Sequence, residues 1–169
     1  MSALRRGLDF LLGFVCCTLL AWLVIVLAWQ VISRYALNQP SSTTEEMLRY
    51  GVIWMSMLGA AYATGQGSHL SVDMLRDRLA QSGKLRLDLL IGAIFILFAG
   101  AVLIYGGMKA VNIASRQTSA VMQIPMSWVY LALPVSGGLM VLYSILNLID
   151  LSRGVTHHVD LEEIEMKGD

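Results

Sequence analysis

Charged residues are scarce in this sequence, and long stretches of it contain none. Asp, Glu, Lys and Arg make up 14% of the 169 residues, against roughly 25% in soluble domains. The formal net charge is zero and gives no indication of nucleic acid binding, so we expect no nucleic acid partner. The long apolar runs leave little chain for a soluble catalytic domain, and we predict that the protein is not an enzyme.

Cysteine and histidine are also few, which argues against metal and haem sites. Cys16 and Cys17 are adjacent within the first apolar run and lack metal-ligand spacing. A bis-histidine haem needs two histidines that face each other inside the bundle, but the three histidines fall outside the apolar runs, at His69, His157 and His158. We therefore predict no cofactor, no metal and no catalytic residue.

Four uncharged runs predict an all-α integral membrane protein with four transmembrane helices. The first run, between Asp9 and Arg34, would measure roughly 36 Å as a helix, which exceeds the roughly 30 Å hydrocarbon core. It lacks a small-residue cleavage site and is predicted to be an uncleaved span. We place the spans at about 10–32, 47–64, 88–108 and 126–149, within a transmembrane domain of residues 1–152. Pro125 suits the start of the last helix, and Pro134 should kink it.

Two segments outside the spans carry most of the remaining charge. Residues 71–82 have apolar side chains on one helical face and charged ones on the other, which predicts a short interfacial amphipathic helix on the inner leaflet. A polar loop with one helical turn is the alternative. Residues 153–169 form an acidic tail, which we expect to be cytoplasmic, and we assign it no function.

The distribution of Lys and Arg predicts the orientation, because cytoplasmic loops carry the excess of positive charge. With the amino terminus inside, eight of these residues lie on the inner side and four on the outer side. The inner eight are Arg5, Arg6, Arg76, Arg78, Lys84, Arg86, Arg153 and Lys167, and the outer four are Arg34, Arg49, Lys109 and Arg116. We therefore expect both termini to be cytoplasmic.

The charges that open the second span are the main candidate site. Glu45 and Arg49 have the i,i+4 spacing and order of a favourable helical ion pair, and Glu46 and Tyr50 lie beside them. One hypothesis is a patch that contacts another protein or a neighbouring helix, because partly buried ionic groups must be paired. The alternative is a helix cap, since Thr43 and Glu46 have capping-box spacing.

The middles of the four spans contain no charged residue and no histidine. Ion-coupled transporters usually place ionisable groups or broken helices near the midplane, so a self-contained transporter is disfavoured. Small residues in spans two to four instead favour close helix contacts; they include Gly59, Ala60, Ala61, Ala63, Gly92, Ala93, Ala99, Gly100, Gly137 and Gly138. Two alternatives stay open, namely a self-assembling small transporter or channel, and a membrane anchor subunit of a respiratory-type enzyme.

Several residues in a fixed order carry a resemblance to a known family. They are Arg34-Tyr35, Glu45-Glu46, Arg49, Trp54, Gly59-Ala60-Ala61, His69, Asp73, Ile124-Pro125-Met126-Ser127-Trp128 and Pro134. Their order and spacing, together with the four-span layout, resemble the DctQ-type small membrane subunit of tripartite ATP-independent periplasmic (TRAP) transporters. The resemblance covers the chain from about Arg34 through the fourth span.

The resemblance implies a bacterial or archaeal inner-membrane protein that pairs with a large permease subunit, the M subunit, and with a periplasmic substrate-binding protein. In such systems the large subunit carries out sodium-coupled uptake of an organic acid, such as a C4-dicarboxylate or sialic acid. The small subunit is implied to be a scaffold surrounded by membrane lipid and not a transport path. Its motif positions here are Arg34, Glu45, Glu46, Arg49, Tyr50, His69 and Asp73, carried over as partner-contact or structural positions with no substrate ligand among them.

Overall fold

The computed structural model describes residues 3–38, 41–66 and 81–152, and these ranges are almost entirely helical. The elements are α1 (Ala3–Tyr35), α2 (Ser42–Gly65), α3 (Gln81–Phe98), a π-helical segment (Ala99–Gly106), α4 (Gly107–Ala114), α5 (Ser127–Tyr130) and α6 (Ala132–Ser152). Within these ranges the only β-type pairing is one isolated bridge, between Thr118 and Pro125. The predicted all-α class is therefore confirmed for the part of the chain that the structure describes.

The long helices pack side by side in a row. The extensive packing pairs are α1 with α2, α2 with α6, and α6 with α3 and the π segment. A row leaves much of each helix uncovered, and many large apolar side chains are exposed, among them Phe10, Leu97 and Ile113. Exposed apolar surface of this extent suits lipid or another membrane protein.

Three helical stretches are long and apolar enough to cross a membrane. They are Arg5–Tyr35, Leu89–Ala114 and Ser127–Ile149. Each overlaps one of the predicted spans, namely 10–32, 88–108 and 126–149. The helix that contains the predicted span 47–64 is α2, which carries charges in its first turns and is not among the three.

The helices extend beyond several predicted span boundaries. α1 begins at Ala3 and α2 begins at Ser42, well before residues 10 and 47. The third long helical stretch, made of α3, the π segment and α4, runs without a gap from Gln81 to Ala114 and includes Lys109. Lysine is a good helix former and does not end a helix. Its ammonium group lies 4.4 Å from the centroid of the Tyr105 ring, a cation–π contact.

The sequence predicts a kink of the fourth helix at Pro134, and the structure divides this helix at Leu131, between α5 and α6. Pro134 lies in the first turn of α6 and has no N–H to donate to the Tyr130 carbonyl, which is why the break precedes it. Met126 is the N-cap of α5, close to the predicted start. The predicted interfacial helix 71–82 falls outside the described residues except for 81–82, which begin α3, and the tail 153–169 also lies outside them.

Glycines allow the row to pack closely at some positions and not at others. A Cβ at Gly137 would lie 2.7 Å from Leu103 Cβ and 3.3 Å from the Ala99 carbonyl oxygen, so α6 crosses the π segment in close contact. In contrast, a Cβ at Gly138 would meet no atom within 4 Å. Among the described residues, the predicted small-residue surfaces therefore form close helix contacts at only some of their positions.

Candidate functional site: a buried carboxylate at the loop end

The candidate site lies at the end of the helix row where α1 ends, α2 begins and residues 115–126 connect α4 to α5. We call this the loop end. The 115–126 loop is pinned at its base, because the Met126 N–H donates to the Gln117 carbonyl oxygen at 2.9 Å and the Ser119 N–H donates to the Ile124 carbonyl oxygen at 2.9 Å. Gln123 takes a left-handed conformation with φ of 55°. The result is a tight turn at residues 119–124.

Glu46, in the second turn of α2, binds this loop through both carboxylate oxygens. Its Oε2 accepts hydrogen bonds from the Ser119 hydroxyl at 2.6 Å and from the Met122 N–H at 2.8 Å. Its Oε1 accepts from the N–H groups of Ala120 at 3.1 Å and Val121 at 3.4 Å. We call this arrangement the Glu46 latch; it consists of Glu46, Ser119 and the backbone N–H groups of Ala120, Val121 and Met122.

The latch stabilises the ionised form of a buried carboxylate. The hydrogen bond from Ser119, followed by those from the Met122 and Val121 N–H groups and from Tyr50, lowers the pKa of Glu46 from 4.5 to about 2, although burial opposes this shift. Hydrogen bonding to the charged form of a carboxyl group is one of the general ways to lower its pKa. Glu46 is therefore an anion at neutral pH, compensated by backbone and hydroxyl dipoles.

Glu45 and Arg49 form the predicted i,i+4 ion pair, and it is exposed. Arg49 Nη2 lies 3.3 Å from Glu45 Oε1, and the two side chains are 65% and 59% exposed. Exposed helical pairs contribute about 0.3–0.5 kcal/mol, so this pair adds little to folding. Both side chains remain accessible at the surface of the loop end.

The helix-cap alternative for Glu46 is wrong. The N-cap of α2 is Ser41, whose hydroxyl oxygen accepts from the Thr44 N–H, whereas the alternative placed the cap at Thr43. Glu46 uses its carboxylate on the 115–126 loop. Capping-box spacing does not operate here because the helix begins two residues earlier than that spacing requires.

The other predicted positions differ in what the structure shows of them. Arg34 is exposed in the last turn of α1, and Tyr50 is half-buried next to Glu46. His69 and Asp73 lie outside the described residues. Sequence reasoning missed Ser119 and the three N–H groups, because a partner 73 positions away leaves no local spacing signal.

A second polar cluster, also missed, lies at the opposite end of the row, where α2 ends. Arg5 of α1 donates from Nη2 to the Gly65 carbonyl oxygen at 2.7 Å. Asn147 of α6 donates from Nδ2 to the Thr64 carbonyl oxygen at 3.0 Å. These side chains satisfy carbonyl groups that a helix end leaves without partners. Among the described residues no group of three or more His, Cys, Asp or Glu side chains could hold a metal ion.

Comparison with known proteins places these features in one family. The profile described as "Tripartite ATP-independent periplasmic transporters, DctQ component" matches residues 23–154. The sialic acid TRAP transporter small permease protein SiaQ of Vibrio cholerae is 30% identical over 164 residues, which cover 95% of this chain and 94% of that protein. The C4-dicarboxylate TRAP transporter small permease protein DctQ of Rhodobacter capsulatus is 34% identical over 90 residues, which cover 52% of this chain and 39% of that protein.

One relative contains a similar segment within a far longer chain. The isethionate TRAP transporter permease protein DctMQ of Oleidesulfovibrio alaskensis is 30% identical over 125 residues. The match covers 70% of this chain but only 20% of that protein. A segment like this chain is therefore part of a much longer permease protein in that organism. The relatives named here are all permease proteins of transporters.

Proposed function

Since the chain belongs to the DctQ component family of tripartite ATP-independent periplasmic transporters, we propose that it is the small, non-catalytic membrane subunit that scaffolds a large permease subunit. The observation that carries this proposal is the similarity to a small permease protein along nearly the whole length of both chains. The complex would take up an organic acid, such as sialic acid or a C4-dicarboxylate, delivered by a periplasmic binding protein and driven by sodium.

The helix row supports a scaffold better than a transport path. Its long helices lie side by side, and the middles of the apolar stretches Arg5–Tyr35, Leu89–Ala114 and Ser127–Ile149 carry no charged side chain that could bind an ion or a carboxylate substrate. The exposed apolar faces offer the surface that a second polytopic subunit or lipid would cover. A permease in which such a segment is one part of a longer chain supports the same arrangement.

In this proposal α2 is a fourth span of the inner membrane, although its first turns are charged. It packs between α1 and α6, two helices that qualify as spans. Both termini would be cytoplasmic and the loop end periplasmic, as the charge distribution favours. Reporter fusions at each terminus test this orientation: cytoplasmic reporters agree with it, and periplasmic reporters at either terminus contradict it.

The residues of the loop end then divide into two roles. The Glu46 latch is structural and fixes the shape of the periplasmic 115–126 loop. The exposed side chains of Arg34, Glu45 and Arg49 are positions for contact with the large subunit or the binding protein. On the family resemblance we assign His69 and Asp73, which follow the other end of α2 in the sequence, to contact with the large subunit or to a structural role. Tyr50 has a supporting role beside the latch.

Gentle detergent extraction of this chain from native membranes, followed by mass spectrometry of the co-purifying proteins, tests the scaffold. We expect a much larger polytopic permease at equal stoichiometry. Recovery of the chain alone, as a homo-oligomer that carries solute in vesicles, would reject the proposal in favour of a self-assembling transporter. Recovery with a haem- or quinone-linked enzyme would reject it in favour of an anchor subunit.

A further inference from the structure

The exposed residues of α2 lie on one side of the helix. Beyond its first turn, these residues are Arg49, Val52, Ser56, Ala60 and Ala63. Steps of three or four residues keep positions on the same side of an α-helix. α2 packs against α1 and α6 through its other side, where Leu58, Ala61 and Gly65 are buried. We call the exposed side the α2 face; no other described helix covers it.

The side chains of the α2 face differ from those that the other long helices expose. Val52 is the only large apolar side chain that α2 exposes, and the face continues with the small residues Ser56, Ala60 and Ala63. By contrast, α6 exposes several valine, leucine and isoleucine side chains, and Leu97 of α3 is 71% exposed. Small side chains let a second helix approach the backbone closely, which is typical of helix contacts within membranes.

An ion pair lies at one end of the same face. Arg49 Nη2 is 3.3 Å from Glu45 Oε1, and the two side chains are 65% and 59% exposed. Charged groups in membrane-spanning segments usually face protein or water and pair with other polar groups. A neighbouring protein can supply polar groups to this pair, whereas acyl chains cannot. The charges and the small side chains are independent features of the α2 face, and both favour a protein neighbour over lipid.

We propose that the α2 face binds a transmembrane helix of the large permease subunit, an inference that rests on the proposed function for the identity of this partner. A similar segment is part of a much longer permease protein in one relative, so a chain of this kind needs a surface for a permease. The α2 face is the described surface least suited to lipid. The contacting helix packs along Ser56, Ala60 and Ala63 and places polar groups beside Glu45 and Arg49, while the apolar faces of α6 and of the third helical stretch contact lipid.

Ala60→Leu tests the contact, because a larger side chain on the α2 face would keep the partner helix at a distance. Ala101→Leu is the matched control: Ala101 is also exposed, but it lies in the π segment beside the exposed side chains of Phe98 and Val102. We expect several-fold less large subunit to co-purify with Ala60→Leu than with Ala101→Leu or the unmodified chain at equal expression. The melting temperature of the isolated chain should be the same for both variants, because neither exposed alanine is part of the core.

Photo-crosslinking in membranes gives a second measurement that does not depend on the leucine variants. The crosslinker p-benzoylphenylalanine should attach to the large subunit when it replaces Ser56, and to lipid when it replaces Leu97.

Three results would overturn the proposal: crosslinking from position 56 to a second copy of this chain or to lipid alone, crosslinking from both positions to the large subunit, or equal recovery of the large subunit with the two leucine variants. In each of these cases the proposed function stands if the unmodified chain still co-purifies with a large permease. If the unmodified chain recovers no permease, the proposed function and this inference both fail.

Discussion

The Ser119 hydroxyl donates a hydrogen bond of 2.6 Å to Glu46 Oε2, although 73 positions separate the two residues. Three consecutive N–H groups, those of Ala120, Val121 and Met122, converge on the same carboxylate. A single side chain near the start of α2 therefore fixes the 115–126 loop, which joins α4 to α5. At the opposite end of the row, Arg5 and Asn147 likewise bind the end of α2, through the Gly65 and Thr64 carbonyl oxygens.

Glu46→Gln should loosen the 115–126 loop. A glutamine side chain has nearly the same shape, but it has no charge, and its NH₂ group would face N–H donors that need an acceptor. We expect a lower melting temperature in detergent and faster proteolytic cleavage within residues 115–126. Glu45→Gln is the matched control, because it removes only an exposed ion pair worth about 0.3–0.5 kcal/mol. Equal behaviour of the two variants would contradict the structural role of the latch.

Because of the latch, the thermal stability of the protein should depend on pH within a defined acidic range. The pKa of Glu46 is lowered from 4.5 in the unfolded chain to about 2 in the folded protein. Its ionised form therefore stabilises the fold fully above pH 4.5, and this contribution is lost as the pH falls towards 2. Other carboxyl groups titrate as well, so the quantity to measure is the difference in melting temperature between the unmodified protein and Glu46→Gln. That difference should be constant from pH 7 to 5 and shrink below pH 4.5; a difference that is independent of pH would contradict the prediction.

The sequence predicted the helical class, three of the long apolar helices and the Glu45–Arg49 pair, because each depends on composition or on spacing within one helix. Hydropathy over a window reports burial in lipid directly, and an i,i+4 pair needs only helical geometry. The division of the fourth helix at Leu131 lies near the proline at which a kink was predicted, since Pro134 has no N–H to donate to the carbonyl four residues before it.

The sequence did not predict the partners of Glu46 or the bonds from Arg5 and Asn147 to the end of α2. Glu46 was assigned to a contact patch or, alternatively, to a helix cap, and nothing in its sequence neighbourhood indicates Ser119 as its partner. These contacts depend on which helices lie next to each other in the row, and a hydropathy pattern carries no information about neighbours. The extension of the third helical stretch past Lys109 was missed because a charged residue was treated as a boundary. The aliphatic part of the Lys109 side chain can lie along the helix while its ammonium group contacts the Tyr105 ring.

Gly137→Ala should destabilise the packing of α6 against the π segment. The new methyl group would lie 2.7 Å from Leu103 Cβ and 3.3 Å from the Ala99 carbonyl oxygen, so the two helices must separate. Overpacking of this kind costs about 1–3 kcal/mol, measurable as a lower melting temperature of the purified chain. Gly138→Ala is the control, because its methyl group would meet no atom within 4 Å. Similar losses in both variants of the isolated chain would contradict the close crossing at Gly137.

Arg49→Ala should weaken assembly with the large subunit or uptake, while membrane insertion is unchanged. Arg49 is 65% exposed and its ion-pair partner Glu45 is exposed as well, so the side chain contributes little to folding and is accessible to another protein. We expect several-fold less large subunit to co-purify with the variant at equal expression, or an equivalent fall in uptake. Glu45→Ala separates the causes, because it breaks the same ion pair but leaves the arginine. Loss in both variants would assign the effect to the pair, and loss in Arg49→Ala alone would assign it to a contact of the guanidinium group with the partner. Normal assembly together with normal uptake in Arg49→Ala would exclude this residue from the interface.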